Sequence, residues 1–167
     1  MDGTLPLVEL LLRWLHFGAG LVWIGHNYAS VVQQPNWRPL TAADLNGEGF
    51  SSRLNREHGT FRWAAVVTWL AGMAMLALRG WLPGALTLED ALAPIGIGMY
   101  LGTLMLANLL LVLWPHQKKV LGFVPAPIEE RLRCARITHL SSRTNTMLSI
   151  PLLFFMAGGS HGGILLR

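Results

Sequence analysis

Apolar residues along this chain do not recur at three- and four-residue spacing. They collect in four long runs, over residues 6–33, 58–78, 92–114 and 145–164, and the stretches between the runs hold most of the charge. A helix of about twenty apolar residues matches the ~30 Å hydrocarbon layer of a bilayer. Continuous apolar runs, unlike one-sided stripes, mark helices that face lipid. The pattern therefore predicts an all-α integral membrane protein: a four-transmembrane-helix bundle forming a single membrane domain over residues 1–167.

The punctuation between the runs refines this. Pro6 suits a first helical turn and Pro35 closes the first helix. No lysine or arginine precedes the first run, so it reads as a retained helix and not as a cleaved signal peptide. Residues 36–55 are polar and form a loop with one short surface helix from Thr41. The second helix ends before Gly80 and the Pro83-Gly84 turn. Gly96, Gly98 and Gly102 give the third a smooth strip for a close neighbour, and Pro115 is expected to stop it. Residues 128–143 read as a short cytoplasmic amphipathic helix, basic in character, that feeds the last span. Pro151 is the expected kink there.

Composition agrees with a bilayer setting: 52% of the 167 residues are hydrophobic and 13% charged, about half the ~25% charged of a soluble domain. The net charge of +4 does not point to nucleic acid, because the arginines flank apolar spans, where they meet anionic lipid head groups. Membrane lipids are the expected partners, and no nucleic acid. Ten of the thirteen basic residues (Arg38, Arg53, Arg56, Arg62, Lys118, Lys119, Arg131, Arg133, Arg136 and Arg143) lie in or beside the first and third connections. Arg13, Arg79 and Arg167 lie on the other side. The positive-inside rule then sets both termini in the periplasm of a bacterial inner membrane. A single cysteine, Cys134, excludes an internal disulfide and the Cys-x-x-Cys-His attachment of c-type haem.

No phosphate loop, serine elbow or His-Glu-x-x-His zinc pair is present. Six histidines remain. His16 lies about ten residues into the first run, where a polar side chain needs a partner, a cofactor or water. Imidazole is the usual axial ligand of non-covalent haem, and a hydrogen bond to a neighbouring helix is the alternative. Arg13, three residues earlier, shares the face of His16. It suits either a haem propionate or a snorkelling interfacial position. His161, at the outer end of the fourth run, falls in the same membrane half as His16, and is either a second ligand or a terminal-loop residue. His26, His58, His116 and His139 fall near the inner helix ends, as solvated interfacial residues commonly do.

Several segments taken together resemble a known family. They are Arg13-Trp14-Leu15-His16 with Val22-Trp23-Ile24-Gly25; His58-Gly59 before Trp63 and Thr68-Trp69-Leu70-Ala71-Gly72; Asn108 with Trp114-Pro115-His116-Gln117-Lys118-Lys119; and the stretch from Ser142-Arg143-Thr144-Asn145 through Ser149-Ile150-Pro151 to His161. Their order and spacing resemble the membrane domain of the bacterial urate oxidases (urate hydroxylases) that end in a cytochrome c domain. The first-helix pattern is also similar to haem b-binding membrane protoporphyrinogen oxidases and to copper-resistance membrane proteins.

The resemblance implies haem b as cofactor and carries the family's histidine positions onto His16, His58 and His161. Where the family shows a run of glycines after its histidine, this chain has His58-Gly59-Thr60. The reading that follows is a haem b-binding membrane redox protein or electron-transfer subunit. In it His16 is one axial ligand, His161 or His58 the other, and a separate membrane or cytochrome subunit the partner. Two alternatives stand beside it: a cofactor-free structural or accessory subunit of a larger membrane complex, and a membrane oxidase of urate or porphyrin type.

Overall fold

A computed structural model describes residues 4–33, 35–46 and 50–160. Among these residues every regular element is helical. The order is α1 (Thr4–Gln33), α2 (Ala42–Asn46), α3 (Phe50–Leu78), α4 (Leu82–Thr87), a 3₁₀ turn (Asp90–Leu92), α5 (Ala93–Ala107), a π-helical segment (Asn108–Leu113), α6 (Trp114–Val120) and α7 (Ile128–Ser160).

Three of the described helices are long and apolar enough to cross a membrane: Leu5–Gln33, Gly59–Leu78 and the composite Asp90–Val120. The expected fourth span, residues 145–164, runs past the described residues. Its described part does not stand apart, because the amphipathic segment 128–143 and the apolar stretch after it form one uninterrupted helix, α7, with Pro151 inside.

Three further boundaries differ from the sequence reading. Helix α3 begins at Phe50, eight residues ahead of the expected start. The Pro83-Gly84 turn is the opening of a short helix, α4, closed by Leu88 in the left-handed region (φ 57°). Pro115 does not end its helix. A proline lacks the N–H that residue 111 would otherwise receive, and its ring crowds that carbonyl. The chain responds with a wider turn just upstream, in which the Trp114 N–H reaches the Leu109 carbonyl five residues back. The helix absorbs the proline and continues to Val120.

Two helix ends share one solution. After α3, Gly80 (φ 66°) lets its own N–H reach Ala77 O at 3.0 Å and that of Trp81 reach Leu76 O at 2.9 Å. After α6, Gly122 (φ 82°) repeats the pattern onto Lys119 and Lys118. Both are Schellman closures, which need a residue free of a Cβ penalty at positive φ. The expected surface helix from Thr41 is α2. Thr41 and Asp44 cap its start reciprocally, with Thr41 N and Oγ1 each 2.8 Å from Asp44 Oδ2. These two donors hold the Asp44 carboxyl below its ordinary range.

Helices α1 and α3 form an antiparallel hairpin. As α1 advances from Glu9 through His16 and Gly20 to His26, its partners retreat from Arg79, just past the end of α3, through Gly72 and Thr68 to Phe61 within it. The glycine strip of α5 packs as expected: Gly96 sits against the Ala85 carbonyl, Gly98 against Met156 and Gly102 against Leu152. The main core joins Trp23, Phe61, Ala65, Met105, Leu109, Leu113 and Leu152 from α1, α3, the α5–π segment and α7. A second cluster of Leu45, Val120, Cys134 and Ala135 fastens α2 to α6 and α7. Leu5, Leu11, Trp14 and Phe17 remain exposed along α1, an apolar surface suited to lipid.

Candidate functional site

Polar or small residues recur along one side of α1, interleaved with the buried Trp23 of the main core. Glu9, Arg13, His16, Gly20, Trp23 and Asn27 alternate steps of four and three along the helix, which places them on one stripe. His16, half-buried, stands in the middle of it. Its Nδ1 lies 2.7 Å from the main-chain carbonyl oxygen of Thr68 on α3. Opposite the same ring is Gly72. A Cβ built there would stand 2.9 Å from His16 Cε1 and 3.1 Å from Nδ1. A carbonyl oxygen only accepts, so Nδ1 carries the proton in this bond and Nε2 retains a lone pair.

At the outer end of the stripe, Glu9 Oε1 accepts from Arg13 Nε at 2.9 Å and from Arg79 in the turn after α3. Arg79 also lies over the Trp81 ring, 4.4 Å from its centroid. Arg13 is thus drawn one turn back toward the helix start, away from His16, and joins a cluster of two guanidinium groups and one carboxylate.

At the inner end, Asn27 is 1% exposed and neither its Oδ1 nor its Nδ2 has a hydrogen-bond partner among the described residues. The indole Nε1 of Trp23, one turn earlier, is also buried without one. Buried unpaired polar atoms are rare in native proteins. Across the bundle a second polar group is fully satisfied. Asn108 Nδ2 donates to Ser141 O (3.0 Å) and Asn145 Oδ1 (2.8 Å), Ser141 Oγ donates to Asn108 Oδ1 (3.0 Å), and Asn145 Nδ2 donates to Met105 O (3.2 Å). This network sits where α5 changes to the π-helical segment.

The other histidines are dispersed. His26 stacks on Phe61 with centroids 4.5 Å apart, His116 reaches the carbonyl of Val112 in its own helix at 2.7 Å, and His139 lies 4.9 Å from the Trp37 ring. Burial and the nearby Arg143 charge depress the His139 pKa. No group of three or more potential metal ligands gathers among the described residues. His161 lies outside the described residues. His58 belongs to α3, but its side chain is also outside them.

The helix position of His58 nevertheless bears on its pairing with His16. Residue 58 precedes Gly72, the level of His16, by fourteen positions along α3, which is roughly 20 Å at ~1.5 Å per residue. Two imidazoles on one metal hold their nitrogens roughly 4 Å apart, at ~2 Å per bond. The backbone of residue 58 thus lies several helical turns from the level of His16.

Residues 85–165 match the family model described as urate oxidase N-terminal. The second half of the chain is thus similar to the family that the motifs resemble. The matched stretch holds the Asn108–Ser141–Asn145 network, Pro151 and His161, whereas Arg13, His16 and His58 precede it. No curated protein and no solved structure matches the chain.

Thr68 and Gly72, which seat His16, bound the Thr68-Trp69-Leu70-Ala71-Gly72 motif without showing their role in it, and residue type alone does not single out Asn27. The available signal was a polar or small residue at every third or fourth place along otherwise apolar helices.

Proposed function

We propose that this chain is a haem b-binding membrane redox protein of the bacterial inner membrane, with His16 as an axial ligand. The observation that carries the reading is the His16 imidazole itself. It lies within an apolar span, its Nδ1 proton is committed to the Thr68 carbonyl, and Nε2 is left as a donor atom. Metal-ligating histidines are commonly held this way, with the non-ligating nitrogen bonded to a carbonyl that fixes the tautomer and makes the ring a better donor.

The residues present fit the group. Haem b, when bound, supplies a reversible one-electron couple at its iron. The Thr68 carbonyl orients His16, and the Glu9–Arg13–Arg79 cluster leaves one excess positive charge toward the outer end of the same stripe, suited to a propionate. His161 is the proposed second ligand, because His58 stands too far along α3. Charge asymmetry supports a four-span arrangement with α7 as the fourth crossing and both ends periplasmic. An electron-exchanging cytochrome or membrane subunit completes the proposal.

Family similarity over residues 85–165 supports a second reading, oxidation of urate or a related substrate with this chain as the membrane component. The optical spectrum of purified protein tests the first reading: a reducible b-type spectrum is expected and a colourless protein rejects it. Urate consumption by membranes containing the protein and a cytochrome c tests the second, and an unchanged urate level rejects it.

A further inference from the structure

We propose that Gly72 is a positioning residue for His16: by lacking a side chain, it opens the Thr68 carbonyl to the imidazole and locks the ring as the Nδ1–H tautomer with Nε2 facing away from α3. This rests on His16 being the functional imidazole, as argued above, but its physical content does not depend on haem.

The geometry is specific. Side chains on a helix lean toward its N-terminus and cover the turn before their own Cα. A side chain at residue 72 would therefore cover the turn that holds Thr68. The Thr68 carbonyl already serves the helix ladder through the N–H four residues on, yet it keeps a second lone pair. His16 reaches that lone pair at 2.7 Å. A methyl group at residue 72 would lie 2.9 Å from Cε1 and 3.1 Å from Nδ1, too close for the ring to keep its place, and a shift of the ring that relieves the contact moves Nδ1 relative to the Thr68 carbonyl.

Glycine inside a helix is otherwise disfavoured relative to alanine. Gly18 and Gly25 on α1 meet nothing within 4 Å of a built Cβ, and Gly20 meets only Thr68 Cγ2 at an ordinary 3.6 Å. Among these four, only Gly72 has its empty side-chain position filled by a functional ring.

The test begins with the unmodified, haem-free protein in detergent, ¹⁵N-labelled at histidine. The His16 resonances, assigned by their loss in His16→Gln, should report a neutral ring protonated at Nδ1. Protonation at Nε2, or an even mixture of tautomers, overturns the proposal without any reference to cofactor. Gly72→Ala should then shift the ring to a mixture of tautomers, while Gly18→Ala leaves the wild-type signals in place. A wild-type His16 pattern in Gly72→Ala overturns the proposal. In haem-loaded samples the same substitution should convert part of a low-spin spectrum to high spin or lower haem occupancy several-fold. If wild type holds the Nδ1–H tautomer and Gly72→Ala disturbs it, but wild type never takes up haem, the redox reading falls and the Gly72 assignment stands. If haem binds through His16 and Gly72→Ala changes neither tautomer nor spin state, the reverse holds.

Discussion

The carboxamides of Asn108, at the start of the π-helical segment, and Asn145 of α7 meet, with Asn108 Nδ2 2.8 Å from Asn145 Oδ1. Asn145 is fully buried and its own Nδ2 serves the Met105 carbonyl, at the point where the α-helical ladder gives way to the wider π turn. The pair joins the two helices that carry most of the urate oxidase-like half of the chain.

Asn145→Ala should therefore lower stability by about 1–3 kcal/mol, the range for leaving buried hydrogen-bonding groups unpaired. Ser141→Ala should cost less, since Asn108 keeps its bond to the Ser141 main-chain carbonyl. Thermal unfolding in detergent measures both. Equal midpoints for Asn145→Ala and wild type would show that the network adds nothing to the fold.

Topology is testable by labelling in a Cys134→Ser background, which removes the buried native thiol. Exposed positions serve best: Pro39→Cys and Phe123→Cys on the basic side, Leu86→Cys on the other. The first two should react only with membrane-permeant reagents in intact cells, and the third with impermeant ones. Labelling of Leu86→Cys and Phe123→Cys from the same side contradicts the crossing between them.

The basic segment at the start of α7 divides its labour. Arg131 donates to the Val120 carbonyl at 2.9 Å, across the turn between α6 and α7. Arg133 and Arg136 are exposed. Replacing both by glutamine should weaken binding to anionic vesicles at low salt and leave the thermal midpoint unchanged. Arg131→Gln should do the opposite, lowering the midpoint with little effect on vesicle binding.

Asp44 gives a pH dependence of known sign. Its folded pKa is depressed, first by the Thr41 N–H and then by the Thr41 hydroxyl. Its contribution is complete above the unfolded carboxylate pKa and is lost as pH falls through the lower folded value. Amide exchange at Leu45 and Asn46 should accelerate in that acid window in wild type. In Asp44→Asn it should already be fast at neutral pH.

Much of this fold was legible because helices long and apolar enough to cross a membrane announce themselves by those two properties. Three of four expected spans lie where the runs put them. Two of the differing boundaries share a cause: a proline or an amphipathic stretch looks like punctuation in sequence where tertiary contacts accompany a helix that continues. Pro115 is absorbed by a π turn backed by Asn108 and Asn145, and residues 128–143 stay continuous with α7 because Cys134 and Ala135 pack on Leu45 and Val120. Of the candidate site, His16 stood out by its burial cost, but its seat did not. Thr68 contributes a main-chain atom, which leaves no trace in residue type, and Gly72 an absent side chain, whose trace is only a glycine inside a helix.

The haem proposal turns on His16 and makes separable predictions for its neighbours. Protein purified from haem-replete cells should show a reducible b-type spectrum that His16→Ala abolishes, because Nε2 is the one imidazole nitrogen the Thr68 bond leaves available. His161→Ala should retain haem and convert it from low to high spin, whereas His58→Ala should leave the spectrum unchanged, its place on α3 being roughly 20 Å from the level of His16. Arg13→Leu should keep haem but lower its reduction potential, since removing a cation disfavours the added electron. The shift should be modest and salt-dependent, because Arg13 is exposed and already paired with Glu9. Arg79→Leu, which removes the other cation on Glu9, should act in the same direction, and the double variant should leave Glu9 uncompensated and lower the potential further. Loss of low-spin character in His58→Ala with none in His161→Ala would place the cofactor at the opposite end of the α1–α3 hairpin and overturn the assignment of His16.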